Sequence, residues 1–225
     1  MSYMFVTPAW FFVYGIILEI FFAVITFLVS IYAFKIYKLT EEKQNRLFGT
    51  AFLFIAVSYV ILFIMNIIIL ARLDDEISAL IKLQAVYLFT LLGTYAHALL
   101  FLIGLVILAY VTLRIKNARV LAMLLTITII SVAFSNNKVF MFYVMASVLL
   151  LFTVIHYFIN YINNKKMSTL LVLVAMIFLL FGTLHFMFAV QHEIYYVLGH
   201  LLEFIAYSLI LINLIVILKH GKKTR

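Results

Sequence analysis

The chain has 225 residues, 68% of them hydrophobic and only 11% charged, with a mean hydropathy of +1.26. Too little polar surface is available to cover a soluble domain, so the composition points to an all-α, polytopic membrane protein treated as a single domain over residues 1–225. The net charge is +8, but the basic residues are scattered over short segments and form no continuous groove, which argues against nucleic acid as a partner.

Seven apolar stretches meet the length of about 20 residues that a bilayer crossing needs, at 9–37, 47–72, 85–114, 119–135, 139–162, 167–190 and 194–219. Thr7 followed by Pro8 reads as the start of the first span, with the hydroxyl as cap and proline at the first helical position. That span is too long, and its approach too poor in positive charge, to read as a cleaved signal peptide. In the longest connector, from Asp74 to Gln84, Ile77, Leu80, Ile81 and Leu83 are spaced as in a short interfacial helix; a solvated connector is the alternative.

Thirteen of the 16 Lys and Arg residues share one side of this topology, and only Arg72, Lys82 and Lys138 share the other. Because basic loops stay in the cytoplasm, the chain is expected in the cell membrane with its N-terminus outside and its C-terminus inside. Asp74, Asp75, Glu76 and Glu193 then lie outside, with Trp10, Tyr14, Tyr87, Tyr143, Tyr195 and Tyr196 as an outer aromatic belt.

Laying the third span over the seventh pairs His97 with His200, Phe101 with Phe204 and Lys116 with Lys219 at one offset. Weaker pairings join the second to the sixth (Asn66 with His185) and the first to the fifth (Phe34 with Phe158). These matches describe a three-plus-one-plus-three plan of parallel units joined by the fourth span.

Ionisable groups are costly in hydrocarbon, so those inside the spans should face the protein interior. Glu19 lies on a stripe with Gly15, Ala23, Thr26, Ser30 and Ala33, small residues that permit close helix contact. His200, Glu203 and Tyr207 share one face of the seventh span. His185 and His200 are equally far from the turn near His192, and His97 is slightly deeper on the third span. Counting the helical rise brings Glu19, His97, His185, His200 and Glu203 to similar depths in the outer half of the membrane.

Several chemistries suit that set. The three imidazoles and two carboxylates could ligate a Zn, Cu or Fe ion, with the i, i+3 pair of His200 and Glu203 like that of di-iron bundles. Haem b between two of the histidines is a second alternative. A ligand or proton site built on Glu19, His97, Glu203 and Tyr207 is a third, and interhelical hydrogen bonding alone a fourth. His156, with Thr153 and Asn160, reads as an inner-leaflet hydrogen-bonding group, and His192 and His220 as solvated ones. No cysteine is present, which removes disulfides, thiolate metal sites and cysteine nucleophiles. No lysine lies in mid-span to carry retinal, no aspartate lies within a span to serve as a protease dyad, and no phosphate-binding glycine loop occurs.

In span number, expected orientation and repeat plan, the chain resembles the SWEET sugar transporters, without their Pro-Gln pairs or helix prolines. The segments TPAWFFVYGIILEIFFAVITFLVSIYAFKIYKLT and FLFIAVSYVI are similar to uncharacterised archaeal seven-span membrane proteins, and GHLLEFIAYSLI is similar to helices of seven-span sensor modules. The readings that follow are a non-enzymatic sensor or binding module with an outward-accessible site, a transporter of a small solute or metal ion, and a haem- or metal-containing redox subunit. Expected partners are the lipid bilayer, a small ligand or metal ion, and a membrane protein or second copy of the chain.

Overall fold

A computed structural model describes residues 8, 10–73, 79–114, 117–189 and 191–223. The expectations placed on Thr7, Asp74, Asp75, Glu76, Lys116 and Arg225, and on the side chains of Arg72, Lys82, Tyr87, His220, Lys222 and Lys223, fall outside what is described.

The described residues form seven helices: α1 (Phe12–Thr40), α2 (Lys43–Leu73), α3 (Ala79–Thr112), α4 (Ala118–Ala133), α5 (Lys138–Asn164), α6 (Met167–Phe188) and α7 (Glu193–Lys223). All except α4 are long and apolar enough to cross a membrane; α4 is a shorter apolar helix of 16 residues. Large apolar side chains such as Val24, Phe27, Ile31, Phe152 and Ile155 are exposed on the outer surface, where lipid is the solvent that accepts them.

Helix starts differ from expectation where local chemistry intervenes. α1 begins at Phe12 rather than at residue 9, because Pro8 sits in a preceding turn whose carbonyl accepts the Phe11 N–H at 2.9 Å. Ala79–Gln84, expected in the connector, are the first residues of α3. Asn117 and Asn137 cap α4 and α5, their side-chain oxygens accepting the N–H groups of Arg119 at 2.9 Å and Phe140 at 3.0 Å. At the opposite ends, Glu41, Arg114 and Lys165 follow α1, α3 and α5 in the left-handed conformation that glycine usually supplies.

The helices pack in the cyclic order α1, α2, α3, α5, α6, α7 and back to α1, with α4 resting against α3 and α5. Within this ring α1–α3 are consecutive neighbours, as are α5–α7, with α4 set beside α3 and α5. The small-residue stripe of α1 is buried along its whole length, from Gly15 to Ala33. Seams are tight: a Cβ added to Gly104 of α3 would lie 2.8 Å from the Ala51 carbonyl oxygen of α2. Ser30 of α1 donates to the Gly49 carbonyl of α2 at 2.8 Å, and Ser147 of α5 bonds Thr183 of α6 at 3.1 Å.

Candidate ligand site in the membrane

At the ring end where α1, α5 and α7 begin, the six long helices enclose a cavity of about 180 Å³ to which α4 contributes nothing. This is the end poor in basic residues, and no Lys or Arg among the described residues lines the cavity. Each helix reaches it through a helical face: Phe12, Gly15 and Glu19 on α1; Tyr59, Leu62, Asn66 and Ile69 on α2; Thr90, Thr94, His97 and Phe101 on α3; Tyr196, His200 and Glu203 on α7. The three- and four-residue spacing within each set places its members on one side of its helix. Val139, Phe142 and Tyr143 of α5 and Thr183 and Phe186 of α6 complete the wall.

Glu19 is 2% exposed, and its Oε1 accepts a 2.7 Å hydrogen bond from the Asn66 amide of α2. Its Oε2 is buried without a hydrogen-bond partner. Glu203 is 4% exposed and accepts a 3.0 Å bond from the Tyr59 hydroxyl, which lies 3.1 Å from the hydroxyl of Tyr207. With the Tyr59 proton committed to Glu203, Tyr207 donates to Tyr59, and the chain runs Tyr207, Tyr59, Glu203. This network spans α2 and α7, whose backbones do not pack on one another, so Tyr59 acts as a strut across the ring centre. Both tyrosines lie about 21 Å from their helix ends and Glu19 about 10 Å from its own, by the rise of 1.5 Å per residue, which makes the tyrosine pair the cavity floor.

His200 sits in a box of four aromatic rings. Phe11 and Phe22 stack on it with centroids at 5.8 Å each, while Phe186 at 4.9 Å and Tyr196 at 4.6 Å meet it edgewise. Gly199 permits this, because a Cβ there would fall 2.7 Å from the Phe186 ring. His200 Nδ1 is 3.9 Å from Glu203 Oε2, too far for a hydrogen bond, and neither ring nitrogen has a partner. His97, against Tyr59 and Phe101, likewise leaves its Nδ1 buried and unpaired.

Glu19, His97, His200 and Glu203 therefore border one cavity, and Tyr207 lies beneath it. His185 does not join them. Its Nδ1 bonds the Phe181 carbonyl of its own helix at 2.7 Å, its ring meets Tyr195, and it is not part of the cavity wall. Equal distance from a turn fixes depth but leaves direction around the helix open, and here α6 turns Thr183 and Phe186 inward instead. Among the described residues, no three His, Asp or Glu side chains lie close enough to hold one metal ion. The cluster thus surrounds a space, and its donors do not converge on a point.

Two aromatic residues assigned to the outer belt, Tyr143 and Tyr196, also turn into the cavity, whereas Trp10 and Tyr14 are exposed. Tyr59 and Asn66 carried no functional assignment from sequence. Their signal was the face Tyr59, Leu62, Asn66 and Ile69, hidden because tyrosine and a lone asparagine are ordinary residues in an apolar span.

No family model, curated protein or solved structure matches this chain.

Proposed function

We propose that the chain is a membrane-embedded binding module whose cavity takes up a small ligand from the basic-poor, outward face. One observation carries this reading. Glu19 Oε2, His97 Nδ1 and both nitrogens of His200 are buried, unpaired and carried by side chains of a single cavity wall. Leaving a buried polar atom unpaired costs about 1–3 kcal/mol, so four of them together are better explained by a polar occupant than by packing. Interhelical glue, the bland alternative, accounts for the Asn66–Glu19 and Tyr59–Glu203 bonds but not for these atoms.

The absence of cysteine makes the test clean. A thiol introduced by Thr94→Cys on the cavity wall should react with charged, water-borne thiol reagents far faster than one introduced by Phe27→Cys on the lipid face of α1. Equal resistance at both positions would leave the cavity closed to water and sink the reading.

Transport is the second reading, and a separate observation favours it. A smaller polar cavity of about 160 Å³, lined by Gln44, Asn45, Thr112, His156, Tyr157 and Asn160, opens at the opposite ring end. Tyr59 and Phe48, at the facing limits of the two cavities, are about 16 Å apart along α2, and a dry core fills the interval. Two cavities separated by a packed plug are what alternating access starts from. Flux of a bound solute into liposomes, abolished by Glu19→Gln, would establish it; binding without flux leaves the module reading in place.

A further inference from the structure

Resting on that reading of the cavity as a ligand site, we infer that its ligand class is a small organic cation, an ammonium compound held between Glu19 and Glu203 against aromatic walls. Three features converge on this class. Two glutamates border one cavity, each almost wholly buried, and no Lys or Arg among the described residues lies on its wall to offset them. Carboxylates inside a membrane normally pair with a counter-charge; no Lys or Arg among the described residues supplies one on this wall, the nearest basic group is His200 Nδ1 at 3.9 Å from Glu203 Oε2, and a cationic occupant would complete the pairing.

The free atoms have the matching polarity. Glu19 Oε2 is an acceptor, and His97 Nδ1 and one nitrogen of His200 can accept when the rings are neutral, the other His200 nitrogen keeping an N–H for a polar atom of the ligand, whereas an anionic ligand would face two carboxylates. The rest of the wall is rich in aromatic residues, with Phe12, Phe101, Phe142 and Phe186 among those that line the space. Ring faces attract ammonium groups, and they do so best where water is excluded. Size separates this class from a bare metal ion: no three ligating side chains reach a common point, but a molecule with some extent can touch donors on opposite walls of a 180 Å³ space. His200, held between Phe11 and Phe22, cannot swing freely to close that gap.

The test compares two methanethiosulfonates of similar size on the Thr94→Cys protein, one bearing a trimethylammonium group and one a sulfonate. Asn136→Cys, in the exposed turn before α5 at the same ring end, gives the reference ratio of their rates. The cation-to-anion ratio at Thr94→Cys should exceed the reference by roughly tenfold or more, as two nearby carboxylates of low solvent exposure would produce. Glu19→Gln and Glu203→Gln should each reduce that excess. On the Thr94→Cys protein with both glutamates intact, choline should slow labelling while its uncharged isostere, 3,3-dimethyl-1-butanol, does not, which keeps the question decidable if the glutamine variants fail to fold.

A ratio at or below the reference, or equal protection by the alcohol, overturns the cation assignment while leaving a water-filled binding cavity. Failure of both reagents at Thr94→Cys, with Asn136→Cys reactive, overturns the cavity reading beneath it.

Discussion

The two halves of the bundle use the same six helices in opposite ways. Towards the basic end, Phe52, Leu102, Leu105, Leu108, Leu150, Met176 and Ile210 are buried against one another, and the seams close down to backbone contact at Gly104. Towards the other end the same helices carry Glu19, His97, His200 and Glu203 and enclose space. Burial alone does not distinguish the halves, since Glu19 and Glu203 are as enclosed as the leucines. Partner supply does. The basic half is closed mainly by apolar contact and leaves only scattered atoms, Thr112 Oγ1 and Asn213 Oδ1, without a partner among the described residues, whereas the polar half gathers four such atoms around one cavity, where an added molecule or water can satisfy them.

Substitutions should divide along the same line. The largest effect is expected from Gly104→Leu, which forces a side chain into the Ala51 carbonyl and the Ile55 side chain and should cost about 3 kcal/mol or more, read as loss of folded protein in a thermal melt. Its counterpart Gly15→Ala, on the cavity wall with the nearest ring atom 3.9 Å from the new Cβ, should shift stability by less than about 0.5 kcal/mol. If both were equally harmful, the contrast between a packed half and an open half would be lost.

Tyr59→Phe comes next. It removes the hydroxyl that joins Glu203 to Tyr207 and so deletes the strut between α2 and α7. A cost of about 1 kcal/mol is expected, above the ~0.6 kcal/mol typical of hydrogen bonds between membrane helices because two bonds go at once. Chemical denaturation of the variant in detergent measures it, and an unchanged midpoint would remove the floor of the cavity as a structural element.

Glu19→Gln should cost less, under about 0.5 kcal/mol, because the amide oxygen can still accept from Asn66. It should nonetheless alter the charge selectivity of the cavity, which separates a binding role from a packing role at one residue. An effect of the opposite sign lies outside both halves. Lys165→Gly, at the left-handed residue after α5, should raise stability by about 0.5–1 kcal/mol by relieving a conformation that L side chains disfavour; a lower melting temperature would contradict that reading.

Much of the architecture was legible before any coordinates. The seven helices and their approximate limits follow from runs of apolar residues, because lipid tolerates no other arrangement of backbone polar groups; of the seven expected spans, six are long and apolar enough to cross a membrane, and α4 is the exception. Periodicity also told which side of α1 and α7 is buried: Gly15, Glu19 and Ala23, then His200, Glu203 and Tyr207, all lie inward. It failed for His185, Tyr143 and Tyr196, where depth was known but direction was not. In a helix hydrophobic all round, the sequence carries little contrast between lipid-facing and protein-facing sides.

By itself, then, the sequence determined a bundle of seven apolar helices and the presence of acids and imidazoles within it, because solvation by lipid acts on each segment separately. Only the tertiary structure decided that α1 closes the ring against α7, that Tyr59 crosses it, and that the polar groups border a space in place of a metal point. Those outcomes depend on the rotation of each helix about its axis, which is set by how small residues such as Gly104 and Gly199 let particular neighbours approach.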